Sequence, residues 1–327
     1  MVFVAGIDEA GYGPRLGPLV LGYSWFRLPQ AELDLWQALE EVVARKPGRH
    51  DRRLQVNDSK IVNSGVRGRD RLERSVAAFH RLLQPQADLR QWILQAPSGS
   101  SSWFQKAPWL ADWLAVSGKE KSPPIPLCPS PDSDRVELDH HLLKRCVEKA
   151  GIQLVGFGVR VVSAGEWNHL VQTCGGKGAA LFQVTMEVVR HLLQRSGDAG
   201  LRLELDRHGA RRSYGPLLKN ALQPNQLEVH QERVGGSTYT LHFEDREVQI
   251  RFQEGADLRY FPVSLASMAA KLTRERVMDF FNAYFCKHMP DLKPTKGYAM
   301  DAKRWLADVG DRLPQWGVSP QTLIRNL

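Results

Sequence analysis

The sequence predicts an α/β domain. Strand-like and helix-like stretches alternate along most of the chain. At 43% hydrophobic residues, 327 residues can bury a substantial core. The first run, Val2-Phe3-Val4-Ala5-Gly6-Ile7, reads as a buried strand and closes on two adjacent acids, Asp8 and Glu9. Glycines follow at 11 and 13 and strip side chains from the backbone, so a bulky ligand can approach. Paired carboxylates at a strand end are costly unless a proton or cation offsets their repulsion, which points to a divalent metal.

Leu19 to Phe26 reads as a second strand, hairpinned to the first, and helical stretches follow near 31–45 and 68–84. Between about 86 and 138 the texture changes. Ser98-Gly99-Ser100-Ser101-Ser102 and Ser122-Pro123-Pro124-Ile125-Pro126 are loop chemistry. They bracket a piece holding Trp103, Trp109 and Trp113, read as an insertion whose tryptophans pack a small core. A helix near 137–150, the strand Val155 to Val162, a helix near 178–195 and the strand Leu201 to Leu205 come next. The last of these ends on Asp206. An extra hairpin over 225–245 turns at Gly235-Gly236, followed by the strand Val248 to Phe252, then Asp257 and a long helix from about 263 to 285. One domain, 1–327, is expected, with a C-terminal helical region over 263–327.

A net charge of +8 and a pI near 9.4 suit a polyanionic partner. Basic residues cluster at Arg45, Lys46, Arg49, Arg52 and Arg53, and again at Arg67, Arg69, Arg71 and Arg74. Four cysteines without Cys-x-x-Cys spacing argue against a zinc site or a disulfide framework. A strand starting at residue 2 leaves no room for a signal peptide, and no apolar run reaches membrane length. The expectation is a reduced, cytoplasmic monomer with no membrane partner.

Asp206 and Asp257 stand as Asp8 and Glu9 do, at or just beyond strand ends and close to glycine. If the strands of Asp8 and Asp206 lie side by side, three or four acids meet at one sheet edge. Oxygen-rich sites with open positions suit Mg²⁺ or Mn²⁺, and two ions about 4 Å apart serve phosphodiester displacement. The residues alone therefore indicate a metal-dependent enzyme acting on a phosphate polymer.

Asp8-Glu9-Ala10-Gly11-Tyr12-Gly13-Pro14, with Gly17-Pro18-Leu19-Val20, resembles the opening signature of ribonuclease HII, the type 2 ribonuclease H family. Asn57-Asp58-Ser59-Lys60 resembles its Asp-Ser-Lys motif, and Val162-Ser163 with Glu166 its strand-to-helix junction. Leu205-Asp206-Arg207-His208-Gly209 is similar to the strand bearing its third acid. Ser264 to Arg274 resembles its Ala/Ser-rich helix, and counting back from Lys271 places Asp257 on the fourth acid. Lys296-Gly297-Tyr298 and Gly317-Val318-Ser319-Pro320 resemble its C-terminal phrases. The match covers most of the chain outside 86–138 and the added hairpin.

The resemblance implies a ribonuclease H-like fold, a central mixed five-stranded sheet flanked by helices. It implies Mg²⁺- or Mn²⁺-dependent endonucleolytic hydrolysis of the RNA strand of RNA–DNA hybrids, or of ribonucleotides embedded in duplex DNA, leaving 3′-hydroxyl and 5′-phosphate ends. Asp8, Glu9, Asp206 and Asp257 would be the catalytic metal ligands. Gly11, Tyr12, Gly13, Asn57, Ser59, Lys60, Lys271 and Tyr298 would bind substrate. Within that set, Lys60 would touch backbone phosphate and Tyr298 would pack on a sugar. The glycines around Tyr12 would meet the minor groove, where 2′-hydroxyls mark RNA.

Tyr12 departs from the arginine usual between those glycines, and arginine's cationic fork is not equivalent to one hydroxyl. The related ribonuclease HIII family has lysine there. An aspartate as fourth acid leans toward type HII, and the stretch from Asp206 to Asp257 is longer than the family pattern. Two alternatives stay open: a metal-dependent nuclease of this fold with another nucleic-acid substrate, and a catalytically silent nucleic-acid binder.

Overall fold

The computed structural model describes residues 2–48, 50–84, 88–95, 101–114, 125–129 and 133–326. Its main strands are β1 (Val2–Ala10), β2 (Leu19–Leu28), β3 (Gln153–Val162), β4 (Leu201–Asp206), β5 (Gln226–Arg233), β6 (Gly236–His242) and β7 (Glu247–Gln253). They form one sheet in the order β3-β2-β1-β4-β7-β6-β5. β1 runs antiparallel to β2, β2 antiparallel to β3, and β1, β4 and β7 are mutually parallel. The first five strands in this order, with β2 alone reversed, are the mixed core of a ribonuclease H-like fold. The expected five-stranded sheet is nevertheless widened to seven. The hairpin turns at Gly235 and adds β6 antiparallel to β7 and then β5 at the edge.

The principal helices are α1 (Ser59–Val62), α2 (Gly68–Arg81), α3 (Ser133–Lys149), α4 (Ala164–Cys174), α5 (Lys177–Ser196), α6 (Gly215–Leu222), α7 (Phe261–His288) and α8 (Ala299–Val309). Alternation along the strands splits the core in two. Val4, Val20 and Phe26 pack beneath α7 and α2, whereas Ala5, Ile7, Leu19, Leu21 and Trp25 pack beneath α5 on the opposite face. The long helix α7 lies directly on β1 and β2. A Cβ at Gly6 would run into the backbone of Pro262, and one at Gly22 into the carbonyl of Ala266. This close approach explains both the strand glycines and the facing Ser264, Ala266, Ser267, Ala269 and Ala270 of the helix.

The helix expected over 31–45 is not formed. Only Leu35–Ala38 is helical, capped by Asp34, whose carboxylate accepts from the backbone N–H of Trp36 at 2.8 Å. Val43–Ala44 then turns extended and pairs in parallel with Leu54–Gln55. Leu35, Leu39, Val42 and Val43 are all buried, so their apolar spacing is satisfied by a chain wrapped onto the core. The β-branched pair favours the extended end of that path.

The expected insertion yields to regular structure earlier than 138, because α3 begins at Ser133. Trp92 and Trp109 are buried. Trp92 Nε1 donates to Thr273 Oγ1 at 2.8 Å, and Trp109 packs on Phe281 and Phe285 of α7. Trp103 lies beside His169 and Lys106. Of the serine-rich run, Ser101 and Ser102 open a short helix, Ser101–Gln105, and not the expected loop. Residues 98–100, the prolines at 123 and 124 and the Trp113 side chain fall outside the described residues. Among those described, no helix is long and apolar enough to cross a membrane.

Candidate metal and nucleic-acid site

Register decides the first part of the site. Ile7 of β1 pairs with Leu205 of β4 in parallel, so Asp8 and Asp206, one step further along each strand, sit side by side. They stand at the carboxyl ends of these parallel strands, the usual location of ligand sites in α/β sheets. The Asp206 carboxylate accepts from the backbone N–H of Ala256 at 3.1 Å. That bond ties the end of β4 to the 3₁₀ turn Ala256–Leu258, which carries Asp257.

The four acids lie within Coulombic reach of one another. Burial lifts the Asp8 carboxyl well above the ordinary range, and Glu9, Asp206 and Asp257 lift it further. Burial and then Asp206 push Glu9 up to about 8, with Asp257 adding and Lys60 opposing. Asp257 is raised to about 6 by burial, then by Asp58 and Asp206. Burial also raises Asp206, against backbone N–H donors and the charge of Lys60. Among the described residues, however, no three His, Cys, Asp or Glu side chains stand close enough to hold one ion. The acids are assembled without being closed into a coordination shell. A cluster of mutually repelling oxygen donors nonetheless fits a hard divalent cation, which would offset that repulsion.

Lys60, exposed on α1, is the cation that acts on Glu9, Asp206 and Asp257. The residues around it are supports. Asn57 is 4% exposed; its amide donates to the Arg45 carbonyl at 3.1 Å and its oxygen accepts from the Asp58 backbone. Ser59 is 6% exposed, and its hydroxyl lies 3.1 Å from that of Ser267 on α7. Ser267 in turn hydrogen-bonds Asp8. The side chains expected to touch substrate at 57 and 59 thus hold the loop and reach the partner of the first acid. Lys271, one helical turn past Ser267, forms an ion pair with Glu275 at 3.0 Å.

The Gly11-Tyr12-Gly13 turn is held from behind. Gly11 has φ of +88°, a left-handed conformation, and a Cβ there would strike the Arg274 side chain. Arg325, buried, donates to the carbonyl of Gly11 and to that of Tyr12, the latter at 3.3 Å. Burial and then Arg274 push the Arg325 guanidinium down to about 9. The Tyr12 ring meets Trp167 edge-on at 6.0 Å, and Lys177 Nζ lies 5.1 Å from its centroid. Tyr298 caps the start of α8, is 49% exposed, and has Arg274 5.4 Å from its ring.

Sequence reasoning missed Ser267, Asp58, Arg274 and Arg325 as members of the site. A signal existed for part of this set. Ser264, Ser267, Lys271 and Arg274 recur at helical spacing and form one stripe of α7 toward the site. Arg325 had no such signal, because only folding brings it to the turn at Gly11. His208, beside Asp206, belongs to the core. Its backbone N–H donates to Tyr214 Oη at 2.9 Å, and burial depresses its imidazole to about 3.

Fold and site together define an α/β protein with four carboxylates and a lysine at one sheet end. No known family profile and no curated protein matches the chain. Among solved structures it is similar to the RNase HII of Archaeoglobus fulgidus in a PCNA complex, at 15% identity, covering 99% of this chain and 94% of that one, TM-score 0.42. It is similar to ribonuclease H2 of Pyrococcus horikoshii OT3 at 15% identity, with 98% and 92% coverage and TM-score 0.41. Bst-RNase HIII in complex with Mn²⁺ follows at 11% identity, 99% and 66% coverage and TM-score 0.42. At such identities and scores the likeness carries no weight of its own, and the fold rests on strand order and register.

Proposed function

We propose that the chain is a type 2 ribonuclease H, an endonuclease that hydrolyses the RNA strand of RNA–DNA hybrids with Mg²⁺ or Mn²⁺. The observation that carries this reading is the side-by-side placement of Asp8 and Asp206, with Glu9 and Asp257 within Coulombic reach. The ordered set of motifs resembling ribonuclease HII supports the choice of substrate.

In this reading Asp8, Glu9, Asp206 and Asp257 hold the divalent ions. When bound, such ions supply Lewis-acid activation of the attacking water and stabilisation of the leaving oxygen. The water oxygen bonds to phosphorus, the bond to the 3′-oxygen breaks, and that oxygen takes up a proton. The products are 3′-hydroxyl and 5′-phosphate ends. Lys60 neutralises charge beside three of the acids and offers a phosphate contact. The turn at Gly11 presents a bare backbone to the minor groove, kept in place by Arg325 and Arg274. Tyr12 contributes one hydroxyl and a ring where a cationic fork would otherwise stand, so the enzyme should cut continuous hybrid without needing a ribonucleotide–DNA junction.

End-labelled duplexes with Mg²⁺ and with Mn²⁺ test this: a continuous hybrid, DNA holding one ribonucleotide, and plain DNA. Cleavage of the hybrid at many positions, with plain DNA intact, is expected. Cutting only 5′ of the lone ribonucleotide would assign junction reading to the tyrosine. Three intact duplexes would reject the activity.

A further inference from the structure

Two basic runs, separate in sequence, face each other across a cavity of about 790 Å³. One wall is the segment after Arg45, with Lys46, Asp51 and Arg53. The other is the end of α1 and the exposed side of α2, with Arg67, Asp70, Arg71 and Arg74, and Arg135 of α3 helps to close the space. Both walls start at the candidate active site. Arg45 Nη2 donates to the carbonyl of Leu258, the neighbour of Asp257, at 2.6 Å, and Lys46 already lines the cavity. Ile61, which follows Lys60, lines it from the other side. The cavity therefore adjoins the two segments, one ending at Arg45 and the other at Lys60, that border the acids.

Its charge is one-sided, with six cationic side chains against two carboxylates. Part of the positive charge is already matched. Arg53 pairs with Asp51 at 2.7 Å, and Arg74 pairs with Asp139. Arg71 donates to the carbonyls of Val62 and Ser64, which satisfies its hydrogens but leaves its charge. Lys46 and Arg67 are exposed and have no carboxylate partner among the described residues. Concave, low-dielectric walls of one sign concentrate field toward an anion. Guanidinium forks and an ammonium group suit phosphate oxygens.

We propose that this cavity is a second phosphate-binding site, receiving backbone phosphates of the duplex beyond the cleavage point, with Lys46 and Arg67 as its principal contacts. The assignment rests on the nuclease reading for its ligand, since a duplex held at the acids would extend past Lys60 and Arg45 toward the cavity they adjoin. It predicts a contact insensitive to base and sugar.

The test compares wild type with the double variant Lys46→Ala/Arg67→Ala. Affinity is measured in EDTA over a range of salt, for a hybrid just long enough to cover the acids and for one about three times longer. The long hybrid should bind about tenfold more weakly to the variant, and its log–log salt slope should fall by about 2, near 0.9 per lost phosphate contact. The short hybrid should bind, and with metal be cleaved, as by wild type. Equal long-hybrid affinity and slope in the two proteins would overturn the proposal. A parallel thermal-shift series uses tripolyphosphate as probe. Stabilisation of wild type but not of the variant, with hybrid binding equal, would give the cavity to a free polyphosphate and also overturn it. If neither protein cleaves any duplex, the nuclease reading fails, while the EDTA binding arm still decides the cavity.

Discussion

Asp8 is 7% exposed, hydrogen-bonded by Ser267 and surrounded by three other carboxylates, a setting that favours its neutral form. A carboxyl whose folded-state pKa is raised contributes stability at low pH and loses it as pH climbs through the raised value. For Glu9 that window runs from its ordinary 4.5 to about 8. Without divalent ions the protein should therefore weaken between pH 5 and pH 8. Asp8→Asn should relieve part of this loss, and more of it at pH 8 than at pH 5. Denaturant melts in EDTA at the two pH values check it; a variant less stable than wild type at pH 8 would refute the electrostatic account of the cluster. Tyr12 allows a second residue-level prediction. Tyr12→Phe keeps the Trp167 and Lys177 contacts and removes only the hydroxyl. If that hydroxyl meets the substrate 2′-hydroxyl, kcat/KM on continuous hybrid should fall by about tenfold with stability unchanged. Unaltered kinetics would reduce Tyr12 to a packing residue.

At the scale of elements, α7 organises the site. Its small-residue face rests on Gly6 and Gly22, and its polar stripe delivers Ser264 to the Asp257 carbonyl, Ser267 to Asp8 and Arg274 to the turn at Gly11. Ser267→Ala should leave the fold intact and remove a hydrogen bond that lowers the Asp8 pKa. The rising limb of the pH–activity profile should then move to higher pH. A limb at the wild-type position would separate Ser267 from the chemistry. The same elements show why some of the structure was legible in sequence and some was not. β1, β4, α5 and α7 carry long, regular patterns, and each was anticipated within a few residues. The stretch from 31 to 45 misled because Leu35, Leu39, Val42 and Val43 have helical spacing yet are buried by a wrapped, partly extended chain. Asn57 and Ser59 carried a recognisable motif, but sequence does not reveal that Ser59 meets Ser267 of α7 or that Asn57 bonds the Arg45 carbonyl. Arg325 lies over 300 residues from the turn that it holds, and no local pattern could connect them.

Over the whole molecule, a net charge of +8 surrounds a pit of four acids. On the proposed reading the acids reject phosphate unless a divalent ion is present, whereas the lysine at 60 and the basic cavity attract it. Affinity for nucleic acid and turnover should therefore separate, because on this reading the basic surface supplies most of the binding and the acids the chemistry. The most direct measurement follows cleavage of an end-labelled RNA–DNA hybrid by wild type and by Asp206→Asn, with Mg²⁺ and with Mn²⁺, alongside hybrid binding in EDTA. The account predicts metal-dependent cutting by wild type, a loss of at least about a hundredfold in the variant, and binding within a few-fold of wild type. Metal-dependent cleavage by Asp206→Asn at the wild-type rate would contradict it.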